Sequence, residues 1–130
     1  MGNRANKRGA GEYMEKTANS LIDQFSGRMN SPTSSAILKG ICGEEMGFYL
    51  LIEKGRIEDV KFYSEGCAGT KACAAMAASL ALNKTVSEAL LISAGEVIKK
   101  LPALPQEHLH CSILVVSVLY KAIADYLLQL

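Results

Sequence analysis

Residues 46–64 read MGFYLLIEKGRIEDVKFYS. In the first half, apolar side chains occupy every second position, the period of a strand with one buried face: Met46, Phe48, Leu50 and Ile52. Lys54-Gly55 then predicts a tight turn, and Val60 and Phe62 alternate with polar side chains over a further strand, Ile57–Ser64. The segment therefore predicts an antiparallel hairpin that is covered on one face.

The segments around this hairpin complete the pattern. Ser35–Ile41 predicts a short first strand. Helical spacing or helix-forming composition marks five further segments, which are Tyr13–Gly27, Ala68–Leu82, Thr85–Leu91, Ser93–Leu101 and Cys111–Leu130. We predict the α+β class, with a three-stranded antiparallel sheet, helices packed on it and a long C-terminal helix.

Composition restricts the function classes. The 130 residues are 49% apolar and 21% charged, which is typical of one globular domain and far from the composition of disordered chains. The net charge is +1, and the body of the chain has no basic stretch that would favour nucleic acid. Arg4, Lys7 and Arg8 lie in a segment without apolar periodicity, so we expect residues 1–11 to be a flexible basic tail and 12–130 to form the domain.

The cellular compartment and any association with membranes can also be predicted. We expect no secretory signal, because the start of the chain lacks an apolar segment after its basic residues. The most apolar run, Ile113–Leu130, contains Lys121 and Asp125, so we interpret it as a core helix and expect no membrane partner. We expect a cytoplasmic protein in which the four cysteines are free thiols available to metal.

Three cysteines and one histidine lie where predicted elements end or begin: Cys42, Cys67, His110 and Cys111. A helix N-terminus stabilises a thiolate, which is the form of cysteine that binds metal, and Cys67 and Cys111 both fall at such positions. Three thiolates and an imidazole suit tetrahedral zinc or an iron-sulfur cluster. The spacing contains no C-x2-C pair, so on the residues alone inert core cysteines remain the alternative.

Three segments, in this order, resemble the NifU/IscU-type iron-sulfur cluster assembly scaffolds. They are Ile41–Met46, Gly55–Ala68 and His110–Tyr126. The resemblance implies a non-catalytic scaffold with an α+β fold, on which a cysteine desulfurase and iron build a transient cluster, expected to be 2Fe-2S. The cluster would then pass to apo-proteins, with a homodimer as a further possibility and Zn2+ as an occupant of the apo form. By the same resemblance, the site residues are Cys42, Glu44, Cys67, His110 and Cys111.

Two positions depart from the family pattern. Glu44 stands where the family has Asp, as a site ligand linked to cluster lability, so we expect altered release. Residues 104–108, LPQEH, stand where IscU proteins carry Leu-Pro-Pro-Val-Lys, and the match is too weak to predict the chaperone that reads that segment. His108 is an alternative ligand, although a linker role is favoured.

Two further interpretations stay open at this point. Cys73 is interpreted as a small buried hydrophobe, with sulfur relay as the alternative. The competing function is a protein with one structural zinc ion held by the three cysteines and His110 or Glu44.

Overall fold

The computed structural model describes residues 17–40, 43–102 and 104–130. Three strands form one antiparallel sheet in the order β1-β2-β3, with β1 at Ser34–Lys39, β2 at Glu45–Glu53 and β3 at Arg56–Ser64. The predicted three-stranded antiparallel sheet and α+β class are confirmed. The first strand ends earlier than predicted, because the chain turns at Gly40, where the Gly40 N–H donates to the Glu44 carbonyl (2.8 Å).

The two faces of the sheet follow the alternation in the sequence. Phe48 pairs with Phe62 and Leu50 with Val60, and all four side chains are buried. The β2-β3 turn has positive φ at both Lys54 (54°) and Gly55 (75°), as the tight primed hairpin turns require. The buried face of the sheet is therefore the one that the period-two pattern predicted.

The bounds of the helices are α1 at 17–25, α2 at Ala68–Ala81, α3 at Val86–Ala89, α4 at Ala94–Lys99 and α5 at Leu109–Leu128. Helices α2 and α5 pack on the sheet, and α3 and α4 pack on these helices. Helix α1 is followed by Gly27, whose N–H donates to the Phe62 carbonyl (2.9 Å) and ties the helix to β3. A capping box formed by Thr85 and Glu88 begins α3. The predicted tail, 1–11, and the first predicted helical residues, 13–16, lie outside the described residues.

Helix α5 packs against β1, β2 and α2. It begins at Leu109 rather than Cys111, after a single 3-10 turn at Gln106–His108. By length and composition α5 could cross a membrane, but 44% of its apolar window is buried inside this fold. Leu127 and Leu128 are exposed, although the end of α5 still contacts the sheet, where the Gln129 side chain donates to the Thr33 carbonyl (3.0 Å).

Candidate metal centre

Cys67 is the N-cap residue of α2 and comes three residues after β3 ends. Its thiol is exposed. Partial burial raises the pKa of this thiol, but hydrogen bonds with the Thr70 and Gly69 N–H groups and with the side chains of Thr70 and Cys111 lower it and more than offset that effect. The net pKa lies below that of an ordinary cysteine, as expected for a sulfur at a helix N-terminus.

Cys111 lies in the first turn of α5 and is buried, with 4% of its surface exposed. The Thr70 hydroxyl donates to its Sγ atom (3.3 Å) and lies 3.7 Å from the Sγ atom of Cys67. Thr70 therefore holds the two sulfurs near each other, although they are 44 residues apart in the sequence. Sequence analysis did not identify Thr70. Thr70 comes three residues after Cys67, the N-cap of α2. At that position the N–H and the side chain of a residue point toward the N-cap, so Thr70 could have been predicted to contact the Cys67 sulfur.

His108 is half-buried at the end of the 3-10 turn. Its Nδ1 atom lies 3.5 Å from Cys67 Sγ and 3.9 Å from Cys111 Sγ. Among the described parts of the chain, the ligand atoms of Cys67, His108 and Cys111 lie within 4.8 Å of one another. His108 lies in the connection between α4 and α5, as the linker interpretation predicts, and its ring contacts both sulfurs, as the alternative of a ligand requires.

Two more of the predicted site residues, Glu44 and His110, also lie near Cys111. His110 is exposed, with its Nε2 atom 3.8 Å from Cys111 Sγ. Glu44 is also exposed. Its Oε2 atom lies beside Gly66, 3.2 Å from the position that a Cβ atom on this glycine would take. Glu44, His110 and Cys111 line one narrow cleft. The structure thus brings Glu44 and His110 beside Cys111, in a cleft that Thr70 also lines.

Cys42 lies outside the described residues, and Gly43 is the first described residue after it. Gly43 has a φ of 82°, a left-handed conformation that favours glycine, and its N–H donates to the Gly40 carbonyl (2.9 Å). The glycine at position 43 is therefore explained by its own backbone conformation.

Cys73 is fully buried within α2. Burial, followed by the charges of the neighbouring Cys111 and Cys67 thiols, raises the pKa of its thiol to about 12. The interpretation of Cys73 as a small buried hydrophobe is confirmed by this burial. A thiol in this state is a poor nucleophile and a poor metal ligand at neutral pH, since the reactive species is the thiolate.

We expect iodoacetamide to alkylate Cys67 much faster than Cys73 in the folded apo-protein. The Cys67 rate should rise with pH through a pKa below the ordinary cysteine value, whereas a thiol with a pKa of about 12 is ionised in only about one molecule in 100,000 at pH 7. Mass spectrometry of peptides after a short pulse at several pH values measures both rates. Unfolding in urea should make the rates similar, and equal rates in the folded protein would contradict the assignment.

The arrangement has a definite chemistry. Two thiols and an imidazole nitrogen converge at the ends of a 3-10 turn and two helices, where thiolates are stabilised. Such soft and borderline donors favour iron, zinc and iron-sulfur centres over hard cations. A small α+β domain in which two thiols and an imidazole lie this close together belongs to the class of proteins that could hold a metal ion through thiolates.

Comparison with known proteins identifies the family. Residues 5–129 match the NifU-like N terminal domain family, and the chain belongs to it. It is 42% identical over 86 residues to "Iron-sulfur cluster assembly scaffold protein IscU 1" of Archaeoglobus fulgidus, covering 66% of this chain and 56% of that protein. This chain therefore spans little more than half of that relative's length.

Two further comparisons extend over more of the chain. "Iron sulfur cluster assembly protein 1" of Trachipleistophora hominis is 33% identical over 121 residues, covering 93% of this chain and 78% of that protein. The crystal structure of the N-terminal part of a nitrogen-fixing NifU-like protein from Brucella abortus superposes with a TM-score of 0.63. It is 16% identical and covers 82% of this chain and 91% of that one, so this likeness concerns the fold.

Proposed function

We propose that this protein is an iron-sulfur cluster assembly scaffold rather than an enzyme. Residues 12–130 form the scaffold domain, which receives iron and sulfur, holds a transient cluster and passes it to apo-proteins. One observation carries the proposal: the ligand atoms of Cys67, Cys111 and the His108 imidazole lie within 4.8 Å of one another. The names of the relatives support the same role.

The exposure of the site favours transfer over permanent storage. Cys67, Glu44 and His110 are all exposed. A cluster held at the protein edge by ligands on short turns and helix ends can be reached by a donor and released to an acceptor. The low pKa of Cys67 supplies a thiolate for this exchange.

The cargo and partners follow from this chemistry. We propose a 2Fe-2S cluster on Cys42, Cys67 and Cys111, with Glu44 and His110 as further ligands. A cysteine desulfurase supplies persulfide sulfur, and an electron donor provides the two electrons that reduce each sulfur to sulfide. Apo iron-sulfur proteins are the acceptors, a homodimer is one assembly that could carry the cluster, and the reducing cytoplasm is the compartment that keeps these thiols free.

A structural zinc site is the second candidate. It is favoured by one observation, the spacing of the described ligand atoms, which suits a tetrahedral ion. Zinc would also occupy the apo form of a scaffold, so zinc binding alone does not separate the two functions. Formation of a cluster and its transfer to an acceptor distinguish the scaffold from the zinc protein.

Anaerobic reconstitution tests the proposal. The full chain is incubated with Fe2+, cysteine, a reductant and a cysteine desulfurase, and visible absorption and Mössbauer spectra are recorded. We expect a cluster that moves to an apo-ferredoxin on mixing. A colourless protein that retains only zinc under these conditions would refute the scaffold role and support the structural zinc site.

We expect Glu44→Ala to give a longer-lived cluster that transfers several-fold more slowly. A carboxylate oxygen is a harder ligand than a thiolate and binds cluster iron less well, so it favours release. Glu44→Asp, which restores the usual family residue, should remain functional with altered transfer kinetics. The measurements are cluster half-life in air and transfer rate to an apo-ferredoxin.

The neighbouring acid provides the matched control for this series. Glu45→Gln removes a charge one residue away and should leave both quantities unchanged. Equal cluster half-lives for wild type, Glu44→Ala and Glu44→Asp would show that Glu44 is not part of the site.

A further inference from the structure

We propose that Thr70 is a positioning residue of the scaffold, whose hydroxyl donates to the Cys111 sulfur and speeds release of a bound cluster. The proposal deepens the scaffold function and rests on it, because it names a residue that sets how firmly the cluster is held. It adds no ligand to the set proposed above, since Thr70 acts through the sulfur of Cys111 rather than on iron.

The Thr70 hydroxyl lies between two helices. Thr70 is the third residue of α2, and Cys111 is the third residue of α5. The hydroxyl donates to Cys111 Sγ (3.3 Å) and lies 3.7 Å from Cys67 Sγ. A threonine hydroxyl within a helix commonly bonds to a carbonyl three or four residues earlier. Because a hydroxyl has only one proton to donate, the bond to Cys111 uses the whole donor capacity of this side chain.

The surroundings of Thr70 keep this hydroxyl in place and away from water. Thr70 and Cys111 are only 5% and 4% exposed. A Cβ atom added to Gly66 would lie 3.0 Å from both Cβ and Oγ1 of Thr70, so the threonine side chain packs directly against the backbone of this glycine. A β-branched side chain also has few rotamers in a helix. The donor is therefore fixed beside the Cys111 sulfur before a cluster arrives.

A hydrogen bond to a thiolate ligand weakens the bond between sulfur and metal. The donor withdraws charge from the sulfur, which then gives less charge to iron, and hydrogen bonds of this kind tune metal-thiolate sites. The effect is larger in a buried site than in water. Backbone N–H groups of Gly69 and Thr70 are donors to Cys67, and no substitution of a side chain removes them. The hydroxyl on Cys111 can be removed by a single substitution.

Two variants separate the hydroxyl of Thr70 from its packing. Thr70→Val keeps the shape of the side chain and removes the donor, whereas Thr70→Ser keeps the donor and removes a methyl group. After anaerobic reconstitution of the full chain, we expect Thr70→Val to transfer its cluster to an apo-ferredoxin about fivefold more slowly than wild type, the effect of one hydrogen bond. Thr70→Ser should transfer at the wild-type rate. Thermal melting of both variants records the loss of packing separately.

A spectroscopic measurement does not depend on cluster assembly. Co2+ alone is added to the apo-protein without oxygen, and the wavelength of the thiolate-to-cobalt charge-transfer band is recorded. A hydrogen bond lowers the energy of the sulfur lone pairs, so we expect the band of Thr70→Val to move to longer wavelength and that of Thr70→Ser to stay at the wild-type position. Ser79→Ala is the matched control, because it removes a hydroxyl of α2 that donates to the Met76 carbonyl (2.8 Å) and should change neither quantity.

The two measurements keep the inference and the scaffold function apart. Either an unshifted band or a wild-type transfer rate in Thr70→Val overturns the inference. If wild type assembles and transfers a cluster while that band is unshifted, Thr70 has no such role and the scaffold function is intact. A shifted band in a protein that forms no cluster would refute the scaffold function, and with it the role of Thr70 in release.

Discussion

Replacing Cys67 or Cys111 by serine is expected to reduce cluster yield at least about tenfold, to the background of the assay, while leaving the fold intact. Each change removes one soft ligand from a small set. Serine is close to cysteine in size, and the Thr70 hydroxyl that contacts both sulfurs can also bond to a serine oxygen. Cys42→Ser is expected to have the same effect. Iron and sulfide per chain after anaerobic reconstitution measure the yield.

Cys73→Ala is the matched control for these variants. It removes a thiol from the same helix that Cys67 begins, but Cys73 is fully buried and its pKa is raised to about 12. We therefore expect near-normal assembly, with a modest loss of stability from the small cavity. A requirement for Cys73 as strict as that for Cys67 would show that the ligand assignment is wrong.

Phe48→Ala is expected to lower the free energy of unfolding by about 3–5 kcal/mol, a large part of the roughly 5–15 kcal/mol available to a small domain. Phe48 is fully buried at the centre of β2 and pairs with the buried Phe62 of β3. Its removal leaves a cavity between the sheet and the helices that carry the two cysteines. The chain has no tryptophan, so urea unfolding followed by far-UV circular dichroism is the suitable measurement.

The adjacent residue supplies the control for this prediction. Tyr49 is also aromatic but lies on the opposite face of β2, where it is only partly buried and pairs with Lys61. Tyr49→Ala should cost about 1 kcal/mol or less, the range of single cross-strand pairs. Similar losses for the two variants would contradict the assignment of the buried face.

Much of the fold could be predicted from local patterns. The alternation from Met46 to Ile52 sets which side chains are buried, because a strand has period two and a shift by one residue would expose all of them. The capping box at Thr85 is likewise a short-range signal, complete within four residues. The beginning of α5 was less well predicted. The helix starts at Leu109, two residues before the predicted Cys111, directly after the 3-10 turn at Gln106–His108.

The sequence by itself determined which chemistry this protein can perform: thiols at helix starts, in the order and surroundings of a known family. Only the tertiary structure decided which side chains meet. Cys67 and Cys111 are 44 residues apart, and the packing of α2 against α5 brings their sulfurs together around Thr70. It also selects His108 rather than His110 as the ring facing both sulfurs, because the direction of a side chain at a 3-10 turn depends on the space that Gly69 leaves on a distant helix.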